Sequence, residues 1–275
     1  MQSPIDSEET LARILQLALR AGEAILAVYA TDFVIDHKAD ASPVTEADRR
    51  AEAIILAGLG EIAPGVPVIA EEEAAAGHLP DASDVFFLVD PLDGTKEFLA
   101  RNGEFTVNIA LIRNGSPVMG VVYAPTLGTL FCGKTGGAFK TQVVHGKTER
   151  LQPIRVRRAP PRLDATGSRT LGAAACEGWL KRFPDTSFIA IGSSLKFCMV
   201  AEGAADIYPR FGRTMEWDTA AGDAILRAAG GRVVTLDGQP LKYGKRADGY
   251  ANPHFVAYGD PSLGAAVTRP MDTVG

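Results

Sequence analysis

The sequence predicts an α/β protein in two unlike halves, an α+β N-terminal half followed by an α/β C-terminal half. Three observations carry that expectation. Two stretches of helical apolar spacing open the chain, and a run of short apolar segments with turn signals follows. Beyond residue 150, strand-like and helix-like segments alternate. We expect halves at 1–148 and 149–263, with a loose tail over 264–275. A chain of 275 residues has room for one large domain or two closely packed ones.

The first helix is expected over 7–30, where Leu11, Ile14, Leu15, Ala18, Gly22, Ile25, Leu26 and Tyr29 recur at helical spacing. Asp6 with Glu9 reads as its capping box. A second helix starts near Thr45, after Pro43, with Asp48 in its first turn and Ala51, Ile54, Ile55 and Leu59 as its apolar face. Apolar runs at 66–70 and 85–89 read as strands ending at acidic residues. Segments 106–112 and 117–123 flank Asn114-Gly115 and read as a hairpin. Two more strands are expected at 130–131 and 138–139, and the polar stretch 142–150 reads as a loop at the domain boundary. The second half is expected to run strand 188–191, helix 195–202, strand 205–208, helix 218–229 and strands 232–236 and 255–258.

Composition excludes several function classes. Hydrophobic residues make up 46% and charged residues 22%, as in ordinary globular proteins. The net charge of −5 fits nucleic-acid backbone poorly, so no nucleic-acid partner is expected. A small anionic substrate stays open if local groups supply positive charge. The N-terminus has no basic-then-apolar leader, and no apolar run reaches the ~18–20 residues of a membrane span. Cys132, Cys176 and Cys198 lack metal or redox spacing and read as small core hydrophobes in a reducing cytoplasm. His37, His78, His145 and His254 are scattered, which argues against a His-built metal site.

The strongest chemical signal is the run from Val89 to Phe98, Val-Asp-Pro-Leu-Asp-Gly-Thr-Lys-Glu-Phe. An apolar strand ends at Asp90, Asp93 follows, and Gly94-Thr95 leads into a helix. Two carboxylates this close repel unless a cation lies between them, and hard oxygen donors select Mg²⁺ or Mn²⁺. The Gly94 and Thr95 N–H groups at a helix start suit an anion. Asp-Pro and Asp-Gly are also ordinary turn formers. The second signal is Glu71-Glu72-Glu73 behind a strand, which reads as a solvated acidic face or as a further carboxylate for the cage. The third is Trp217-Asp218-Thr219-Ala220-Ala221-Gly222, where Asp218 suits either an N-cap or a ligand.

Together the Asp90–Phe98 run, the Trp217–Gly231 run and the strand-end Glu71 resemble the inositol monophosphatase-like family, over most of the chain. The resemblance implies a layered α/β/α/β/α architecture with the site between the halves. It implies metal ligands at Glu71, Asp90, the main-chain carbonyl of Leu92, Asp93 and Asp218, holding two or three Mg²⁺, with Mn²⁺ as a substitute. Asp48 and Thr95 match the pair that orients and deprotonates the attacking water, with Glu71 beside them. In-line attack on a phosphate ester follows, without a covalent enzyme intermediate. Lithium sensitivity is a further implication.

The outer positions resemble the 3′(2′),5′-bisphosphate nucleotidase branch of that family, the CysQ type. These are the runs from Gly192 to Cys198, from Tyr208 to Gly212 and from Gly94 to Asn108. Where inositol phosphatases carry a glutamate for inositol hydroxyls, Arg210 reverses the charge preference. Lys196 adds a donor, while Ser193 and Ser194 suit a ribose or phosphate contact, or a helix cap. The lesser alternative is that Arg210 and Lys196 merely pair with surface acids. The expected substrate is a nucleoside bisphosphate, adenosine 3′,5′-bisphosphate, cleaved to AMP, with its 5′-phosphosulfate analogue second; the branch's role is in sulfur assimilation. Inositol or sugar phosphates, and a non-catalytic phosphate-binding role, are the alternatives. Arg155, Arg157 and Arg158 read as a solvated strand edge, and Trp217 as packing beside the site. Oligomeric state stays open, as does peripheral association with the cytoplasmic face of the inner membrane, where some relatives sit.

Overall fold

The computed structural model describes residues 4–37, 43–81, 83–169, 173–183 and 185–269. Helix α1 (Glu8–Tyr29) buries Leu11, Ile14, Leu15, Ala18 and Ile25 along one stripe, as its spacing requires. Its cap is Ser7, whose hydroxyl accepts from the Thr10 N–H at 3.1 Å. The capping box read at Asp6 and Glu9 does not form, because Asp6 pairs with Arg113 at 2.9 Å. A short antiparallel pair, β1 (Ile35–His37) and β2 (Pro43–Thr45), leads into α2 (Glu46–Ile62), capped by Thr45.

The larger sheet is built from β3 (Val68–Ala70), β4 (Val85–Asp93), β5 (Thr106–Arg113), β6 (Ser116–Ala124), β7 (Thr129–Lys134), β8 (Gly137–Val144), β9 (Lys147–Thr148) and β10 (Gln152–Ile154). Its order is β10-β8-β7-β6-β5-β4-β3, with β9 on β8. Only β3 and β4 pair in parallel. Two five-residue helices interrupt it, α3 (Glu71–Ala75) after β3 and α4 (Thr95–Leu99) after β4. Asn114 and Gly115 take φ of 50° and 69°, as a tight hairpin turn demands. The polar stretch 142–150 is not a loop. β8 and β9 pair across His145-Gly146, and the sheet continues to Ile154.

The second sheet has the order β12-β11-β13-β15-β14. It comprises β11 (Asp164–Gly167), β12 (Ser187–Ala190), β13 (Ile207–Arg210), β14 (Arg232–Thr235) and β15 (Phe255–Tyr258). Its helices are α5 (Ala173–Leu180), α6 (Leu195–Ala201), α7 (Glu216–Ala228) and α8 (Gly264–Thr268). The helix expected over 218–229 thus starts earlier. The tail expected from Gly264 is helix as far as Thr268, and Val267 is buried against the second sheet; residues 270–275 lie outside the described residues. Arg157 does not lie on a solvated edge. Its guanidinium pairs with Asp206 and Asp164, both at 2.7 Å.

Three apolar clusters define five layers. α1 and α2 cover one face of the larger sheet, packing Ala18, Ile25 and Ile55 on Phe87, Val89 and Val121. α6 and α7 fill the space between the sheets, through Phe197, Val200, Ala221 and Ile225. Trp179 of α5 and Val267 of α8 cover the far face of the second sheet. This is an α/β/α/β/α stack. α7 lies directly on the larger sheet because Gly120 and Gly133 face it. A Cβ at Gly120 would meet the Ala221 carbonyl oxygen at 2.4 Å, and one at Gly133 the Ile225 Cα at 2.8 Å. That close approach brings Asp218, in the first turn of α7, down to the end of β4. Among the described residues no helix is long and apolar enough to cross a membrane.

Candidate active site

Side chains alternate faces along a strand, so residues three apart, such as Asp90 and Asp93, should point opposite ways. A bulge in β4 corrects this. Asp90 pairs with Asn108 and Asp93 with Thr106, so three steps on β4 match two on β5 and both carboxylates share one face. Pro91, which lacks an N–H, sits inside the bulge, where the ladder is already broken. The Asp90 Oδ1 accepts from the Leu92 N–H at 3.0 Å, which orients the Leu92 peptide. Gly94 then turns the chain with φ of 94°, a conformation open to glycine, and Thr95 begins α4. The Thr95 hydroxyl donates to the Leu92 carbonyl at 3.4 Å.

The other acidic groups arrive from element ends nearby. Asp48 is the third residue of α2 and is 2% exposed. Its Oδ2 accepts from the Thr45 N–H at 2.8 Å and from the Thr45 hydroxyl at 2.7 Å. α4, which opens with Thr95, packs against β2, which ends in Thr45. Glu71 directly follows β3 and is hydrogen-bonded to Asp90. Asp218 is not the N-cap of α7. That position is Met215, and Asp218 sits three residues on, its Oδ2 accepting from the Met215 N–H at 2.9 Å.

These carboxylates feel one another. Burial, then the charges of Glu71, Asp93 and Asp218, hold the Asp90 carboxyl well above the usual range. Burial, Asp93 and Glu71 do the same to Asp218. Burial also raises Asp93, against the opposing pull of Lys196. Three buried carboxyls that ionise only at such a cost, with Glu71 bonded to one of them, are oxygen donors of the kind a hard divalent cation takes, and the Leu92 carbonyl is a neutral further oxygen. Among the described residues, no three acidic, His or Cys side chains are placed so that they could hold a metal ion together. The carboxylates instead hold local bonds, Glu71 on Asp90, Asp93 on Ser194 and Asp218 on Met215.

The basic groups line the same cavity as Asp93 and Asp218. Lys196 is 5% exposed, and its Nζ donates to the Ser193 carbonyl at 2.6 Å. Burial lowers its pKa to about 8, while Asp93 pulls it back up. Arg210, at the end of β13, donates from Nη2 to the Arg213 carbonyl at 3.0 Å. Its Nε is buried without a hydrogen-bond partner, and so is the Ser193 Oγ, on a residue with φ of 49°. A cavity of about 120 Å³ is lined by Asp93, Gly94, Ser193, Lys196, Arg210 and Asp218. Ser168, Tyr208 and Arg210 also line a larger chamber of about 540 Å³, walled by Leu180, Phe188, Ala190 and Pro209.

Ser194, read from the sequence as a ribose or phosphate contact, does not line that cavity; it is 2% exposed and tied to neighbouring elements. Its hydroxyl lies 2.7 Å from the Asp218 carbonyl and 3.0 Å from Asp93 Oδ2. Asn108 donates to it at 2.8 Å and is itself held by Thr106 at 2.9 Å. Sequence reasoning gave Asn108 no role. The available signal was two polar residues, Thr106 and Asn108, on one face of an otherwise apolar strand. Trp217 packs beside the site, 7% exposed and against Tyr250.

This layered fold, with acidic and basic groups lining one cavity, is that of a known family. The inositol monophosphatase family model matches residues 6–260, and the chain belongs to that family. Its CysQ-type members are similar throughout. The 3′(2′),5′-bisphosphate nucleotidase CysQ of Escherichia coli (strain K12) is 46% identical over 247 residues, covering 89% of this chain and 98% of that one. CysQ of Haemophilus influenzae is 34% identical over 266 residues, covering 94% and 95%. The crystal structure of CysQ from Bacteroides thetaiotaomicron superposes with a TM-score of 0.78 at 39% identity, covering 96% and 98%.

Proposed function

We propose that the chain is a divalent-cation-dependent phosphatase that removes the 3′-phosphate of adenosine 3′,5′-bisphosphate, with the 5′-phosphosulfate analogue as a second substrate. The observation that carries this reading is one small cavity lined by groups of both signs, Asp93 and Asp218 as its acids, Lys196 and Arg210 with its partnerless Nε as its cations. A monoester needs only the acidic groups and their cation. A second anionic group on the same substrate explains the basic groups. The adjoining chamber of about 540 Å³ has the size and apolar walls for a nucleoside. The name borne by the CysQ relatives points the same way.

Glu71, Asp90, Asp93, Asp218 and the Leu92 carbonyl would hold Mg²⁺, or Mn²⁺ in its place. The cation supplies a water of lowered pKa and charge neutralisation at the phosphoryl oxygens. The chain's own groups do the rest. Asp48 and Thr95 orient the attacking water, and Glu71 stands beside them to take its proton. The long Thr95–Leu92 bond leaves that hydroxyl free to turn toward the water. Gly94 and Thr95 N–H groups receive a phosphoryl oxygen. Ser193, Lys196 and Arg210 hold the second anionic group, which fixes the ester bond in line with attack. Ser194 keeps Asp93 and the first turn of α7 in place.

Phosphate release with Mg²⁺ from adenosine 3′,5′-bisphosphate, inositol 1-phosphate and a simple sugar phosphate tests the proposal. Strong preference for the nucleotide supports it. Preference for inositol phosphate would leave the hydrolytic reading and overturn the substrate. Binding of all three without release would make the chain a phosphate-binding protein.

A pH experiment checks the basic groups. With its pKa lowered to about 8, Lys196 is an ammonium at neutral pH and loses its proton as pH rises through that value. Affinity for the second anionic group should fall with it. The nucleotide kcat/KM is expected to drop above pH 8, while Lys196→Met starts low and shows no such turn. An identical turn in both proteins would assign it to another group.

A further inference from the structure

Glu52 is a carboxylate that none of these steps uses, 4% exposed on α2. Burying a carboxylate is costly unless hydrogen bonds replace its water. Both oxygens are so engaged. Oε2 accepts from the Glu72 N–H at 2.9 Å and Oε1 from the Glu73 N–H at 3.0 Å. These N–H groups belong to the first turn of α3, whose first residue is Glu71. α3 has no side-chain cap of its own, because the preceding residue is Ala70. Glu52 therefore does from another helix what a serine at that position would do locally. Asp48 lies four residues earlier on the same face of α2. One helix face thus carries Asp48 directly and grips the turn that carries Glu71.

We propose that Glu52 is a positioning residue, whose carboxylate locks the β3–α3 junction onto α2 and so holds Glu71 in register with Asp48 and Asp90 for cation binding. The inference rests on the reading that Glu71 helps hold a divalent cation. Only a carboxylate offers two acceptors side by side to two neighbouring N–H groups. A glutamine would point its own N–H groups at one of them, and an aspartate is one methylene short. The Glu73 side chain plays no part in the grip, since it turns away to His78 at 2.9 Å.

The test is Mn²⁺ binding to the substrate-free protein, followed by the electron paramagnetic resonance of free Mn²⁺. It is run at pH 8, above the value of about 7 to which burial pushes the Glu52 carboxyl. Glu52→Gln is expected to weaken Mn²⁺ affinity about 10- to 100-fold while the circular dichroism spectrum is unchanged. Excess Mn²⁺ should restore its kcat, which no general loss of structure would allow. Glu73→Gln removes the same charge from the same turn but leaves the main chain held, and should bind Mn²⁺ as wild type does. Glu52→Asp keeps the charge, should also weaken binding, and serves if the glutamine variant does not fold. Wild-type affinity in folded Glu52 variants would overturn the positioning role and leave the cation reading intact. An equal loss in Glu73→Gln would overturn it in favour of bulk charge. A wild-type protein that binds no Mn²⁺ would remove the cation reading and this proposal with it.

Discussion

Asp93→Asn is expected to lower kcat/KM for the nucleotide by a factor on the order of 10³ or more, while the thermal midpoint of the metal-free protein stays level or rises. The two halves of that expectation have one origin. Asp93 is held among Asp90, Asp218 and Glu71, and burial together with Glu71 and Glu97 pushes its carboxyl up. A carboxyl whose folded pKa lies above its unfolded value loses stability as pH rises through the range where it must ionise. The neutral amide escapes that cost and keeps nearly the same shape against Ser194 and Asn108. It cannot supply the charge that holds a divalent cation. Phosphate-release assays beside calorimetry of the metal-free protein check both halves. A folded variant that still turns over would remove Asp93 from the cation cage. A variant that loses activity only by unfolding would show Asp93 to be structural.

Arg210→Glu is expected to raise KM for adenosine 3′,5′-bisphosphate by about 100-fold and to leave turnover of a simple monoester nearly unchanged. The guanidinium end of Arg210 is tied to the Arg213 carbonyl, while its Nε is buried and unsatisfied. It also lies close enough to Lys196 and Asp218 for its charge to act on both. Reversing the charge sets a carboxylate against a second phosphate. The selective loss is the informative part. Loss on both substrates alike would mean that Arg210 supports the acidic groups. No loss on either would mean that the second phosphate lies elsewhere, in the chamber lined by Arg169.

The candidate site residues around the end of β4 were readable locally. The run from Asp90 to Thr95 put two carboxylates, a carbonyl, a glycine turn and a hydroxyl within a few bonds, and all lie at the end of β4. The helices α1 and α2 were readable because their apolar residues repeat at the helical period over several turns. β11 and α5 were not expected. β11 is only Asp-Ala-Thr-Gly, with no alternating apolar pattern, and becomes a strand because β12 and β13 flank it. The tail was misread for a related reason. Val267 is the one buried side chain of α8, Arg182 holds the main chain around it, and neither leaves a period in a sequence.

The cap of α7 shows the limit within a single element. Asp218 was weighed as an N-cap because the residue type suits one, yet α7 starts earlier and Asp218 takes the third position. The carboxylate still satisfies the helix start, reaching back to Met215. That reach also points it into the cleft. Asp48 makes the same backward bond to Thr45. In both helices the requirement for a satisfied first turn and the direction of the site agree.

The sequence by itself determined which groups stand as candidates for the chemistry: the acidic set, the glycine turn, and a cation at Arg210. Residue type and short-range order settle those. Tertiary structure alone decided how they combine. The bulge that turns Asp90 and Asp93 to one face depends on pairing with β5. The descent of α7 onto Gly120 and Gly133 carries Asp218 to the end of β4. The grip of Glu52 on α3 and of Asn108 on Ser194 joins residues 20 and 86 positions apart. Such contacts come from packing between distant segments, where burial and hydrogen-bond satisfaction act through space and leave no spacing along the chain.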